Sequence, residues 1–349
     1  MSIDVVNLYK SFGATQALAG MSFTVHGGKL FGFVGSNGAG KTTTMRIMLG
    51  VLDADSGEVL SDGAPLSFED RRNFGYMPEE RGLYPKMKVG EQLIYLARLH
   101  GLSRADATAK MEFWTERLGV AARRGDQVQA LSLGNQQRVQ LAAALIHEPT
   151  ILILDEPFSG LDPIAVDAMS SVLKEKVAQG ATVLFSSHQL DLVERLCDEV
   201  GICTHGKIVA NGTIDQLRTT AEVYYDVSTG EDSRLLAGYL SGSALRADDA
   251  ARTAGAPALP YLDTQILSPH QVRVKLPAGV NDQDLLRAAL SVGAVHGFER
   301  FRPHLNELFA NVVSAEPSPE PASATPQKKW RFLKGRHSAA PSLPIDQEA

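Results

Sequence analysis

The chain has 349 residues, 44% hydrophobic and 21% charged, with a net charge of −6. At roughly 150 residues per domain there is room for about two domains, and the balance excludes whole-chain disorder. The 34 basic against 40 acidic residues lack the basic excess of a duplex-coating protein, and two cysteines, Cys197 and Cys203, fit neither a disulfide framework nor a zinc site.

In chain order, residues 1–34 read as short strands. Ile3-Asp4-Val5 and Met21–Val25 alternate as a half-exposed antiparallel sheet does, and Leu30–Val34 is an apolar run suited to a buried strand. Residues 40–50 turn helical, and 86–119 are helix-rich, with Leu93, Leu96, Ala97 and Leu99 in an apolar stripe. A helix is expected over 136–147, closed by Pro149. Ile151–Leu154 and Thr182–Ser186 read as buried strands separated by a helix near 163–179. Alternating strands and helices predict an α/β fold with a mostly parallel sheet covered on both faces. After residue 218 the composition changes. Strands are expected at 221–227 and 270–276, helices at 282–292 and 304–313, and a loop at 241–260, giving a small α+β domain over 219–313. Residues 314–349 are rich in Pro, Ser and Ala and read as a disordered tail. Within it, KKWRFLKGR at 328–336 reads first as a solubilising tail and second as a membrane-surface contact.

No run of 18 apolar residues occurs, so the chain is not expected to span a membrane. Asp4 falls where a secretory leader needs basic and then apolar residues, so a cytosolic protein is expected.

The sharpest motif is GSNGAGKT at 35–42, which fits G-x-x-x-x-G-K-[ST] between a buried strand and a helix. Gly35, Gly38 and Gly40, with Ser36, Asn37 and Ala39, form a loop whose amides can approach phosphate oxygens. Lys41 can neutralise the β- and γ-phosphates, Thr42 can ligate magnesium, and Thr43 continues the helix start beside the anion. The second motif is ILILDE at 151–156, four apolar residues and then two acids at a strand's carboxyl end, where α/β sheets place ligand sites. Asp155 suits magnesium through water, and Glu156 suits orienting and deprotonating an attacking water.

On these and three further stretches, residues 2–217 resemble the ATP-binding-cassette (ABC) ATPases. LSLGNQQ at 131–137 is similar to that family's LSGGQ, with Ser132 and Gly134 matching, Leu133 replacing a glycine and Asn135 a glutamine. FSGLDP at 158–163 resembles its D-loop, with Asp162 as the acid. His188 stands where the family has its switch histidine, and Phe12 where an aromatic ring stacks on adenine. The family's glutamine contact to magnesium and water falls on Glu79 in GYMPEERGLY at 75–84, with Glu80 the adjacent alternative. A carboxylate there can still ligate magnesium but adds negative charge near the γ-phosphate.

The resemblance implies a P-loop NTPase cassette over 1–218, with an antiparallel β subdomain and a helical subdomain, using ATP and Mg2+. It also implies ATP hydrolysis coupled to transport, with two copies packed head to tail so that Ser132 and Gly134 of one reach the γ-phosphate held by Lys41 of the other. The partners implied are a second ATPase subunit, identical or a close paralogue, and a separate polytopic permease, with the chain peripheral at the cytoplasmic face of the cell membrane. Wording such as PEERGLYPKMKVGEQLIYLARLHGL, and FERFRPHLNELFANVV at 298–313, looks like the stand-alone exporter branch related to sodium-extrusion and drug-resistance pumps. The rival is a cassette ATPase switching a ribosome or DNA. Neither a second cassette nor heptads occur in the sequence, and the acidic balance disfavours nucleic acid.

Overall fold

The computed structural model describes residues 1–80, 82–218, 223–242, 259–301 and 305. In chain order its elements begin with β1 (Ile3–Phe12), β2 (Thr15–Val25), β3 (Leu30–Gly35), α1 (Lys41–Met48), β4 (Ser56–Ser61) and β5 (Ala64–Pro65). Then come α2 (Phe68–Arg71), β6 (Phe74–Met77), α3 (Val89–Leu99), α4 (Arg104–Arg117), α5 (Leu133–Leu145) and β7 (Ile151–Leu154). They are followed by α6 (Pro163–Ala178), β8 (Thr182–Ser187), α7 (Leu190–Leu196), β9 (Glu199–Thr204), β10 (Lys207–Thr213) and α8 (Ile214–Arg218). The last are β11 (Val223–Thr229), α9 (Ser233–Ser241), β12 (Thr264–Ser268), β13 (Gln271–Leu276), α10 (Asp282–Val292) and β14 (Val295–Phe301).

A six-stranded sheet in the order β10-β9-β3-β8-β7-β6 carries the site. All its pairings are parallel except β10 with β9. Its central strands are apolar in unbroken runs because both faces are covered, and alternate residues serve two cores. Leu30, Val34, Leu152, Leu154, Val183 and Phe185 face a core shared with helices α3 to α7. Phe31, Phe33, Ile151, Ile153 and Leu184 face the opposite core, shared with α1 and the first sheet. That first sheet, β2-β1-β4-β5, is antiparallel, and Phe23 of β2 joins it to the central sheet by packing on Phe31 and Phe33, with ring centroids 5.4 and 5.0 Å away.

A third sheet, β12-β13-β11-β14, is antiparallel and has its own core of Val227, Leu236, Leu240, Val272, Val274 and Leu285 beneath α9 and α10. Helix α9 and strands β12 and β14 are additions to the elements expected from the sequence. Of the helix expected at 304–313, only Leu305 lies among the described residues. It is buried in the cassette-side core, and its amide donates to Glu194 of α7 at 3.1 Å. The loop expected at 241–260 lies mostly outside the described residues, and the tail from 314 to 349, with its basic segment, lies wholly outside them.

One boundary moves. Helix α5 begins at Leu133 rather than 136, because the Ser132 hydroxyl accepts the Asn135 amide as an N-cap and carries the helix through Gly134 and Asn135, which propensity alone disfavours.

Candidate active site

Strand β3 is buried at all six residues and delivers the chain to the loop 36–40 at the sheet's carboxyl edge. Gly35 packs where a Cβ would lie 2.4 Å from the Cys203 carbonyl of β9, so its glycine serves close packing of the strands. Gly38 (φ 80°) and Gly40 (φ 102°) adopt the left-handed backbone that glycine reaches without strain. They differ in surroundings. A Cβ on Gly40 would meet Leu18 at 2.7 Å, whereas one on Gly38 would project into open space. The loop is therefore packed against β2 on one side and open on the other, with Ser36, Asn37 and Gly38 exposed and Ala39 buried.

Helix α1 starts at Lys41, so its unpaired amides and positive end face that opening. Lys41 is only 7% exposed, and its Nζ donates to Gly35 O at 2.6 Å and Ser36 O at 3.2 Å. A buried ammonium needs such partners. Here the loop carbonyls supply them and hold the charge inside the loop. Thr43, the next residue but one, is half-buried.

The two acids of ILILDE are on the neighbouring loop after β7. Asp155 is 1% exposed. Its Oδ2 accepts from the Thr42 hydroxyl at 2.8 Å, and its Oδ1 accepts from the Ser186 hydroxyl at 2.5 Å. The Thr42 hydroxyl and Asp155 carboxylate are hard oxygen donors, the set that suits Mg2+. Glu156 has φ 49°, a left-handed conformation costly for a residue with a Cβ and typical of strained functional turns. Its amide donates to Ser186 Oγ at 2.8 Å, so one serine hydroxyl fixes both acids. Glu156 Oε2 is 2.9 Å from His188 Nδ1. Burial raises the Glu156 carboxyl above the ordinary carboxylate value, while the His188 hydrogen bond opposes that shift. A carboxylate made more basic by burial is suited to accept a proton from water.

The remaining expected residues are spread around this centre. Phe12, at the end of β1, is 51% exposed and has Lys10 Nζ 5.7 Å from its ring centroid, leaving a ring face free to stack. Glu79 is exposed on the loop after β6, and among the described residues no hydrogen bond joins it to Thr42 or Asp155. It is still within electrostatic reach. The Tyr76 hydroxyl is pushed up by burial first and then by Asp155, and Glu79 adds to the same direction. Asp162 caps α6, its Oδ1 accepting from the Ala165 amide at 2.7 Å. Ser132 and Leu133 are exposed at the start of α5, and among the described residues no hydrogen bond brings Ser132 to the phosphate loop. The sequence reading missed Ser186, Gln137 and Gln140. Ser186 carried a signal, a hydroxyl at the end of the strand that leads to His188. The two glutamines were distinguishable only by their partners.

Residues 18–159 match the family described as ABC transporter. The chain is 40% identical over 237 residues to the ABC transporter ATP-binding protein YhaQ of Bacillus subtilis, covering 68% of this chain and 79% of that one. It is 34% identical over 214 residues to the linearmycin resistance ATP-binding protein LnrL of the same organism, covering 60% of this chain and 69% of LnrL. A solved ATP-binding subunit of an ABC transporter superposes with a TM-score of 0.58 at 32% identity, covering 62% of this chain and 92% of that structure.

Proposed function

Because the chain belongs to the ATP-binding subunits of ABC transporters, which are ATPases, we infer that it drives export through a separate membrane permease, working as one of two cassettes closed by ATP. The observation that carries this reading is the Thr42–Asp155 hydrogen bond at 2.8 Å, which links the phosphate loop to the acid pair at one edge of the sheet.

The roles follow from that arrangement. Lys41 exchanges its loop carbonyls for β- and γ-phosphate oxygens, and the amides of residues 36–42 receive the remaining negative charge. Thr42 and Asp155 would hold magnesium, with Glu79 a further contact, and the ion would supply neutralising charge to the phosphate oxygens. Glu156 orients the attacking water and takes its proton as the water oxygen bonds to the γ-phosphorus and the bond to the β-phosphate oxygen breaks, releasing ADP and phosphate. His188 holds Glu156 Oε2 in place, Ser186 fixes the backbone beneath it, and Phe12 stacks on the adenine.

Closure requires a second cassette. Ser132 and Gly134 of one copy meet the γ-phosphate of the other, and the exposure of Ser132 and Leu133 on a single chain supports this. No described helix is long and apolar enough to cross a membrane, which supports a separate permease. Export is favoured by similarity to a resistance protein, and similarity to transporter subunits favours transport over a ribosome or DNA switch. The chain is then peripheral at the cytoplasmic membrane face. The test is purification of the tagged chain from membranes solubilised in mild detergent. Stoichiometric recovery of a polytopic membrane protein is expected, and recovery of ribosomal particles or DNA in its place contradicts the reading.

A further inference from the structure

Helix α5 carries Gln137 and Gln140, three residues apart and therefore on one face. Gln140 is 3% exposed, and its Nε2 donates to Pro78 O at 2.7 Å and to Glu80 O at 3.3 Å. Those two carbonyls bracket Glu79. Gln137 Nε2 donates to Pro157 O at 3.1 Å and to Glu156 O at 3.3 Å. One helical face thus grips the main chain on either side of Glu79 and at Glu156, although the two acids follow different strands, β6 and β7.

Residues 78–80 and 156–157 lie outside helices and strands; the Glu156 carbonyl also accepts from the Ser159 amide at 3.2 Å, whereas among the described residues no backbone amide donates to the Pro78, Glu80 or Pro157 carbonyls. A buried carbonyl left unpaired costs roughly 1–3 kcal/mol, which makes a side-chain donor valuable there. A primary amide suits the task because it offers two hydrogens, one for each carbonyl, and brings no charge that would compete for the nearby acids. Among the described residues, Gln140 Oε1 has no hydrogen-bond partner although it is buried. Burying that oxygen is unfavourable, so the polar residue is explained by its donor half and by the loop it holds.

We propose that Gln140 and Gln137 are positioning residues that tie Glu79 and Glu156 to α5, so that a displacement of the helix beginning in LSLGNQQ displaces both carboxylates together. The catalytic consequence rests on the roles given above to Glu79 and Glu156, whereas the bracing of the two loops does not.

The test uses Gln140→Met and Gln137→Met in the full chain. Both substitutions keep length and remove the donor. Amide hydrogen exchange is followed in segments 78–83 and 155–160, alongside MgATP turnover and equilibrium affinity for ADP. Gln140→Met is expected to speed exchange several-fold in the first segment only, and Gln137→Met in the second only. Turnover should fall about ten-fold in Gln137→Met and no more than about five-fold in Gln140→Met, with ADP affinity unchanged in both. Gln140→Asn, one methylene shorter, should reproduce the Gln140→Met pattern, which keeps the test available if the methionine variant misfolds. Unchanged exchange in both segments, or equal loosening of both by either variant, overturns the proposal. Selective exchange with unchanged turnover retains the brace and contradicts the catalytic roles of the two acids.

Discussion

The hydroxyl of Thr42 donates to the carboxylate of Asp155 at 2.8 Å, across 113 residues of sequence, and so joins the first turn of α1 to the end of β7. Two hard oxygen donors held together in this way would supply part of a magnesium site from two different loops. Thr42→Val removes one donor and leaves Asp155 without this partner. The magnesium concentration needed for half-maximal nucleotide binding should rise roughly ten-fold. Titration of ATP binding against magnesium checks this, and an unchanged requirement contradicts the assignment.

Lys41 is the cation held inside the phosphate loop by Gly35 O and Ser36 O. Lys41→Ala should reduce ATP turnover by at least about 100-fold, as expected when a preorganised charge on the transferring phosphoryl group is lost. Steady-state phosphate release measures it. Retention of more than a tenth of wild-type turnover is incompatible with that role.

Glu79 is exposed and makes no described hydrogen bond to the acid pair, and a glutamine in its place keeps an oxygen donor for magnesium while removing the charge. Glu79→Gln should leave ATP affinity intact and change turnover within about five-fold, equivalent to under 1 kcal/mol in the barrier. Calorimetric titration with ATP is the check, and complete loss of binding contradicts the account.

His147 stacks on His100 with ring centroids 3.7 Å apart, and its Nε2 donates to Phe74 O at 3.1 Å. Burial, and then the charge of His100, push His147 down to about 4. A histidine depressed in the folded state binds its proton more readily when unfolded. Its contribution to stability is therefore whole above about pH 6.5 and is lost as pH falls from there towards 4. The loss amounts to about 2 kcal/mol after allowance for solvent screening of a ring that is not fully buried. Thermal melts of wild type and His147→Gln between pH 7 and 4 test this. The wild-type melting temperature should fall more steeply, and parallel curves count against it.

How much of this was legible in the sequence differs between parts of the molecule. The apolar runs of β3, β7 and β8 are visible because a sheet covered on both faces leaves no room for polar alternation. The phosphate loop is visible because its glycines and lysine are contiguous. Helix α9 and strand β12 are harder to read. Ser233, Gly238 and Ser241 dilute the helical pattern of α9, while β12 is an edge strand with exposed Ile266 and Leu267 and so lacks the alternation of a half-buried strand. Within the site, Asp155 and Glu156 announce themselves as paired acids after an apolar strand. Their support does not. Ser186 reaches Asp155 across 31 residues, and Gln140 reaches Pro78 across 62, through pairings that only the folded chain creates.

The most direct measurement is on Glu156→Gln, because burial makes that carboxylate more basic while His188 holds its Oε2 and Ser186 fixes its backbone. Turnover and solution mass are measured together, with MgATP and with ADP. The account predicts turnover reduced by roughly 100-fold or more, a mass of two chains with MgATP and of one chain with ADP. Turnover near the wild-type rate contradicts it.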